Sequence, residues 1–382
     1  MRKYLLGSTC LFAVISIPAQ AETSIATATT TPVRTSTIKS GAADDIKITS
    51  AGSIKPTSGS AVTIDSNNKL TNEGTIEISN ADNATGILAT AGVTGTINNA
   101  ASGKIIIDEP YAPTDSDNDG DIDGAFAIGT GRAGIATAGA FTGNITNSGT
   151  ITVEGNDSAG IRLGGTLTGD FVHDGKTSVL GDRALGVGLQ DVNGNVRLAG
   201  TITAQGIDAV AARIDGNVNG ALVVQGTMSS SGYRYTTPPT DASKLDADDL
   251  LQGGPALSVE GNVTGGIILA VPPKDNSTTD NDEDDDGIED SKEGSALVRS
   301  YGAAPAMRIG DTNDAVTIGP VAGTGTGFGL VIDGGISGNG LYTGVEANGL
   351  QVGGLGGTVT IQGGIGIGST GSVKAASNGG SA

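Results

Sequence analysis

Acidic residues recur at alternate positions late in the chain, in a spacing that suits a calcium ion. The pattern reads Asp282-x-Asp284-x-Asp286-Gly287-x-x-Asp290-x-x-Glu293. Oxygen ligands at alternate positions, a glycine at the sixth position and a carboxylate at the twelfth can fold around Ca²⁺. The sequence therefore predicts a calcium site within 282–293. A solvated acidic loop that keeps the protein soluble is the alternative.

A second, incomplete version of this pattern lies earlier in the chain. It reads Asp115-x-Asp117-x-Asp119-Gly120-x-x-Asp123, and its twelfth position is Phe126. A phenylalanine cannot supply the closing carboxylate, so water or backbone carbonyls would have to complete the coordination. Calcium binding at 115–123 and a plain acidic loop are equally open here. Both patterns resemble the loops of thrombospondin type 3 repeats and EF-hands.

The sequence contains few other residues that could carry out catalysis. The only histidine is His173 and the only cysteine is Cys10, which excludes ordinary zinc sites. No G-x-S-x-G motif accompanies the histidine, so a serine hydrolase is not indicated, and we expect His173 at the surface. The sequence predicts no catalysis of its own.

Three arginines keep one enzyme class open. They are Arg162, Arg213 and Arg308, and each follows an inward residue of a repeat described below. A basic stripe beside a calcium loop would fit a calcium-dependent, carbohydrate-binding or polysaccharide-lyase-like enzyme. The alternative is that these arginines pair with acidic groups or hydrate the surface.

Composition narrows the fold class. The 382 residues include 64 glycines, no tryptophan and only 11 tyrosines and phenylalanines, and the net charge is −20. The acidity excludes nucleic acid as a partner, because phosphate binding needs a basic face. Short strands joined by tight turns suit this composition better than helices or a thick globular core.

A repeat organises the chain. A small residue, an apolar residue, a variable residue and another apolar residue recur, and five of the eight intervals measure 20–26 residues. A second echo, Asn-x-Gly-Thr-Ile, runs in phase at Asn72–Ile76 and Asn147–Ile151. We expect the following apolar residues to stack inward along one wall: Ile87, Ile135, Ile161, Val187, Ala212, Leu257, Met307, Leu330 and Leu350.

Repeats of this length predict an all-β protein, a right-handed parallel β-helix (solenoid). A β-sandwich is the alternative, although it does not predict one strand recurring at a fixed spacing. The longer intervals predict three acidic loop insertions, at 108–124, 233–250 and 271–293, which hold 21 of the 41 acidic residues. Loops of a solenoid are the natural place for function.

Four segments follow from these patterns. Residues 1–21 read as a secretory signal peptide, with Arg2 and Lys3 before an apolar centre and Ala19-Gln20-Ala21 as the cleavage site. Residues 22–60 are a Thr/Ser-rich lead or an N-terminal cap. Residues 61–374 are the predicted β-helix, and 375–382 are a disordered tail.

The chain resembles the passenger region of Gram-negative autotransporter (type V secretion) proteins. The signal peptide, the Asn-Gly-Thr-Ile repeats, Tyr233–Pro239, Asp246–Gly254, the acidic loop and Tyr301–Gly329 with its Ala322–Gly327 run carry the resemblance. It implies an exported, adhesive or structural passenger at the cell surface, in the outer membrane or outside the cell. It also implies a C-terminal translocator barrel as partner, which this sequence lacks, so we expect a longer precursor. The cell-surface or extracellular ligand is not indicated.

Overall fold

The computed structural model describes residues 22–382 except 117, 119, 121, 240, 242–244, 275, 278, 280, 284–288, 324 and 326, and omits the side chain of 292. The predicted signal segment, 1–21, lies outside this part. The described chain is all-β, and its helical structure is a single 3-10 turn at Asp290–Lys292. No described helix has the length and apolar character needed to cross a bilayer.

The strands are short and follow one another at brief intervals. The first twelve are β1 Thr23–Ile25, β2 Ala28–Thr29, β3 Val33–Arg34, β4 Ile46–Ile48, β5 Ser53–Ile54, β6 Ser60–Ile64, β7 Leu70–Asn72, β8 Thr75–Ser79, β9 Thr85–Ala89, β10 Val93–Thr94, β11 Ile97–Asn99 and β12 Lys104–Asp108. The next twelve are β13 Ala133–Thr137, β14 Phe141–Thr142, β15 Ile145–Asn147, β16 Thr150–Glu154, β17 Ala159–Leu163, β18 Leu167–Thr168, β19 Phe171–His173, β20 Lys176–Leu180, β21 Leu185–Leu189, β22 Val192–Asn193, β23 Val196–Gln205 and β24 Val210–Ile214. The last are β25 Leu222–Ser231, β26 Leu257–Val259, β27 Ile267–Leu269, β28 Leu297–Tyr301, β29 Pro305–Ile309, β30 Val316–Ile318, β31 Leu330–Ile332, β32 Gly335–Thr343, β33 Asn348–Val352, β34 Val359–Ile361, β35 Ile365–Ile367 and β36 Ser372–Asn378.

Each strand pairs in parallel with the equivalent strand one repeat later, which produces four stacks. The first stack contains β1, β4, β7, β11, β15, β19, β27, β31 and β35, and the second contains β2, β5, β8, β12, β16, β20, β28, β32 and β36. The ten-residue strands β23 and β25 run through both of these stacks. The third stack contains β3, β6, β9, β13, β17, β21, β24, β26, β29 and β33.

The fourth stack is the narrowest. It begins with β10, β14, β18 and β22 and ends with β30 and β34. Between them the pairing shrinks to isolated bridges that join Val192, Val218, Val263 and Ile318. The chain visits the first three stacks in turn from its first described strands and includes the fourth from β10 onwards, so successive repeats add layers to these walls. This topology is consistent with a parallel β-helix.

One continuous apolar core lies between the stacks, built mainly from Ile, Val, Leu and Ala side chains at alternate strand positions. In β16, for example, Ile151 and Val153 are buried, whereas the residues on either side of each are partly exposed. Alternation of this kind is what a sheet with one buried face requires. The sparse aromatic content is therefore matched by a thin interior of aliphatic side chains.

Glycine permits the close approach of successive layers. Gly143 has a φ of +123°, and a Cβ at this position would lie 1.7 Å from the carbonyl oxygen of Gly95, one layer earlier. No L side chain fits there without displacing the backbone. The abundance of glycine therefore reflects tight turns between layers rather than disorder.

The predicted inward wall is the third stack, with one error. The register runs from Ile87 through Ile135, Ile161, Val187, Ala212 and Leu257 to Met307 and then directly to Leu350. Leu330 was wrongly included, because it lies in the first stack between Ile267 and Ile365. The sequence around Leu330 follows the same local pattern as the strands of the third stack, because the strands of both stacks alternate small and apolar residues.

Both ends of the described chain, which begins at residue 22, contain paired strands. Residues 22–60, for which a disordered lead and a cap were both open, contain β1 to β5, and β3 pairs with β6 of the next layer. The segment 375–382 begins inside β36, where Ala375 and Ala376 pair with Gly338 and Asn339. The structure therefore extends the stack beyond the predicted boundary at 374.

We expect Ile161→Asp to destabilise the protein far more than Arg162→Asp. Ile161 is fully buried in the third stack, whereas the neighbouring Arg162 is exposed. An unpaired carboxylate in an apolar interior has no hydrogen-bond partner, so the first variant should lose about 4 kcal/mol or more of unfolding free energy. Urea denaturation of both variants measures the difference. Equal losses would contradict the assignment of inward and outward positions.

Candidate functional site

Three aspartates from two different loops meet in space. Asp123 lies between β12 and β13, whereas Asp246 and Asp248 lie between β25 and β26. One carboxylate oxygen from each residue lies within 4.8 Å of those of the other two. Three convergent carboxylates offer the hard oxygen ligands that Ca²⁺ prefers, so this acidic triad could hold a metal ion.

Hydrogen bonds fix the triad. The backbone N–H of Gly124 donates to Asp248 Oδ2 at 2.8 Å, and the N–H of Asp248 donates to Asp246 Oδ1 at 3.0 Å. The hydroxyl of Ser116 donates to Asp123 Oδ2 at 2.6 Å. The hydrogen bond between the Asp246 and Asp248 carboxyl groups raises the pKa of Asp248, and burial and like charge raise it further. A cation between these groups would relieve that repulsion.

Arg234 joins the two loops beside the triad. Its Nη2 donates to the carbonyl oxygen of Gly124 at 2.8 Å, and its guanidinium lies 4.7 Å from the centre of the Phe126 ring. Phe126, which cannot serve as the twelfth calcium ligand, is buried and forms part of this contact. The loops are therefore held together by the cation–π contact and by the hydrogen bonds of Arg234 and Asp248.

A buried ion pair fixes the base of the first loop. Arg132 Nη1 lies 2.8 Å from Glu109 Oε2, and both side chains are 2% exposed. The same carboxylate accepts the backbone N–H groups of Ile128 and Gly129 at 2.7 Å. Because the charge of each partner is neutralised and hydrogen-bonded, the pair is tolerated in the interior.

The structure describes only part of the pattern predicted at 115–123. Asp115 faces its own loop, where its oxygens accept the N–H groups of Asn118 at 2.6 Å and Gly120 at 3.2 Å. Asp123 accepts from Ser116 of the same loop and also belongs to the triad. Asp117 and Asp119 lie outside the described residues, so the predicted site is described only at its two ends.

The pattern predicted at 282–293 is also described only in part. Asp284, Asp286 and Gly287 lie outside the described residues, and Asp282 lies in the described part of the loop. Asp290 begins the 3-10 turn, its Oδ1 accepts the N–H of Glu283 at 3.3 Å, and its buried Oδ2 has no hydrogen-bond partner among the described residues. Glu293 accepts a hydrogen bond from Gln225 of β25. The loop is thus tied to the second stack at its end.

His173 is buried, so its expected surface position is wrong. Its Nδ1 lies 2.9 Å from the carbonyl oxygen of Ala199, and its Nε2 lies 2.9 Å from Thr177 Oγ1. A carbonyl can only accept, so Nδ1 carries a proton. Burial lowers the pKa of His173. The histidine satisfies an interior hydrogen-bond network and has no access to a substrate.

A ladder of asparagines leads to this histidine. Asn72 Nδ2 donates to Asn99 Oδ1 at 2.8 Å, and Asn99 Nδ2 donates to Asn147 Oδ1 at 2.7 Å. His173 takes the next position in the register. Asn147 Nδ2 is buried there, and none of the residues that the structure describes accepts a hydrogen bond from it. The ladder explains the recurring Asn in the Asn-x-Gly-Thr-Ile echo.

The three arginines occupy one outward column of the third stack, separated by Gly188 and Ser258. Arg213 Nε lies 2.7 Å from Asp215 Oδ1, and Arg308 Nη2 lies 3.0 Å from Glu260 Oε1. Arg162 is exposed. Two of the three are thus engaged by acidic neighbours, as the non-enzymatic alternative expects.

Asp246 and Asp248 are the site residues that sequence reasoning missed. Their segment was recognised as acidic, but its spacing matches no metal motif, because the third ligand comes from a loop more than a hundred residues away. The pairing of the two loops depends on which strands stack between them.

We expect the stability of the protein to fall as the pH drops below 6.5, the ordinary pKa of histidine. Because the folded-state pKa of His173 is lowered, the unfolded chain takes up the proton first, and unfolding is favoured below that pH. His173→Asn and His173→Leu should both reduce the loss of unfolding free energy between about pH 7.5 and 5.5.

Only His173→Asn supplies an acceptor for Asn147 Nδ2, so it should be about 1 kcal/mol more stable than His173→Leu. Denaturant unfolding at both pH values measures these effects. An unchanged pH dependence in both variants would contradict the role given to His173.

The chain was also compared with known proteins. No protein-family model, no curated protein and no solved structure matches it.

Proposed function

We propose that this protein is an exported structural and interaction protein, the passenger of an autotransporter, built as a right-handed parallel β-helix with three acidic loop insertions. The observation that carries the proposal is the stacking of parallel strands, layer upon layer, from β1 to β36 around one apolar core. Such a stack forms an elongated surface for binding rather than a deep catalytic cleft.

The chemistry of the side chains supports a role without catalysis. The single histidine is buried in a structural network, and Arg213 and Arg308 are paired with acidic residues. Two of the three arginines from which a polysaccharide-lyase-like site would be built therefore have acidic partners. The net charge of −20 keeps an exposed rod soluble and repels nucleic acid.

We further propose that calcium orders the acidic loops. Support comes from the triad of Asp123, Asp246 and Asp248, whose oxygens converge, and from the raised pKa of Asp248, which the hydrogen bond with the Asp246 carboxyl group, burial and like charge together produce. The pattern at 282–293 supplies a second set of carboxylates. Calcium outside the cell is abundant, so weak sites of this kind would be filled after export.

Export should be visible in the mass of the mature protein. We expect the full chain, expressed in a Gram-negative host, to be cleaved after Ala21 and to begin at Glu22. Replacing Arg2 and Lys3 by glutamate removes the positive start of the signal and should leave the uncleaved chain inside the cell. Mass spectrometry of the periplasmic, surface and culture fractions measures both results. Efficient export of the charge-reversed variant would contradict the signal-peptide assignment.

Calcium should protect the loops from proteolysis. We expect 271–293 to be protected more than 108–124. Glu293 supplies a carboxylate at the twelfth position of the pattern at 282–293, whereas Phe126 supplies none at the twelfth position of the pattern that begins at Asp115. Asp286→Ala should abolish protection of 271–293 and leave 108–124 unchanged. Asp248→Asn should have the opposite effect, since Asp248 joins only the triad.

Limited proteolysis with and without millimolar calcium, followed by mass mapping of the fragments, measures these effects. Calorimetric titration that detects no calcium uptake would leave solvated acidic loops as the better account.

A further inference from the structure

A long polar groove runs along the fourth stack, on the part of the molecule where its strands shrink to single bridges. It has a volume of about 550 Å³. Its lining comes from six successive layers, from Thr166 to Gln362, and so extends about 24 Å at the usual spacing of paired strands. Amide and hydroxyl side chains, one carboxylate and one glycine make up this lining.

Two columns of polar residues flank the buried bridge residues Val192, Val218, Val263 and Ile318. The residues before each bridge are Asp191, Asn217, Asn262 and Thr317, and the residues after each bridge are Asn193, Asn219, Thr264 and Gly319. Because the bridges are in register, amide, hydroxyl or carboxylate groups recur from layer to layer along the first column, and amide or hydroxyl groups along the second as far as Thr264. The groove therefore offers a periodic surface to a ligand.

Hydrogen bonds between layers hold the first column rigid. Asn262 Nδ2 donates to Asn217 Oδ1 at 2.7 Å, and Asn217 Nδ2 donates to Asp191 Oδ1 at 3.3 Å. In the second column, Asn219 Nδ2 donates to Asn193 Oδ1 at 2.6 Å. Each amide nitrogen carries two hydrogens, so one donor per amide remains for a ligand. Fixed side chains lose little entropy when a ligand binds.

Further polar groups are not used by the fold. The hydroxyls of Thr166 and Thr317 and the side-chain amide of Gln362 make no hydrogen bond within the described chain, and all three line the groove. Hydroxyls and amides both donate and accept. The groove therefore presents donors and acceptors side by side along its length.

The charge of the groove selects against ions. Asp191 is the only charged residue of its lining, in a chain with a net charge of −20. No basic side chain is present to attract an anion, and a lone carboxylate gives a cation only one contact. A ligand for this surface must be uncharged, rich in hydroxyl groups and repetitive.

We propose that this groove binds a neutral oligosaccharide, whose repeated hydroxyl groups meet the repeated amides and hydroxyls of successive layers. This inference names the class of ligand that the interaction protein proposed above would bind. It rests on that proposal for the location, outside the cell, where the protein would meet its ligand. Binding itself requires neither export nor calcium, so the two proposals can fail separately.

Calorimetric titration of the purified full chain, in EDTA, tests the proposal. The probes are maltohexaose, cellohexaose and mannohexaose, each compared with its monosaccharide. We expect at least one hexasaccharide to bind with a Kd at least tenfold lower than that of its monosaccharide, because it contacts several layers at once. Its binding should be insensitive to salt, since neither partner relies on charge.

Isosteric variants identify the groove. The double variant Thr166→Val, Thr317→Val removes two unused hydroxyls and should weaken binding about tenfold, since a hydrogen bond contributes about 0.5–1.5 kcal/mol. The control Thr150→Val, Thr201→Val changes two threonines of the second stack, on another wall, and should bind like the wild type. Gln362→Ala, at an exposed position, should weaken binding about threefold and gives a second reading.

Several results would overturn the proposal. They are the failure of every hexasaccharide to bind better than its monosaccharide, equal weakening in the groove and control variants, and tighter binding of trigalacturonate than of neutral sugars. Loss of export or of calcium binding with intact hexasaccharide binding would leave this inference standing and reject only the proposed function.

Discussion

Parallel, in-register pairing between successive layers is the constraint on which the rest of the structure depends. A strand of one layer pairs with its equivalent in the next, so each inward position must remain apolar and each close turn must remain small. Asn72, Asn99 and Asn147 show the same constraint in polar form, since each buried amide hydrogen-bonds to the amide in the neighbouring layer. A substitution that disrupts the pairing or packing of one layer also disturbs the two layers stacked against it.

The same constraint explains where function can be placed. The core admits no insertion within a strand, whereas chain added between strands leaves the register intact. The long connections between β12 and β13, and between β25 and β26, use this freedom. They are not independent, because Arg234 and the triad join them across the outside of the stack. Two loops distant in sequence thus form one acidic surface.

The charged side chains also follow this division between the stacked strands and the loops that connect them. Exposed acidic groups are concentrated in the loops, while the buried charges of Glu109 and Arg132 occur as a pair with full hydrogen bonding. The groove of the fourth stack is nearly neutral, and its amides are fixed by contacts between layers. The wall and the loops therefore present different chemistry to the surroundings: a polar surface of amides and hydroxyls on the wall and a cluster of carboxylates in the loops.

Sequence alone determined the all-β class, the stacking of repeats and most of the inward wall from Ile87 to Leu350, because apolar periodicity is a local property. It could not separate Leu330 from that wall, since neighbouring stacks share one pattern. It placed His173 at the surface, although the asparagine ladder leads to it, because burial depends on which strand lies in the next layer. Only the tertiary structure brought Asp246 and Asp248 to Asp123 and aligned the polar columns of the groove. Both arrangements join residues of different layers, and their proximity is decided by the stacking rather than by spacing along the chain.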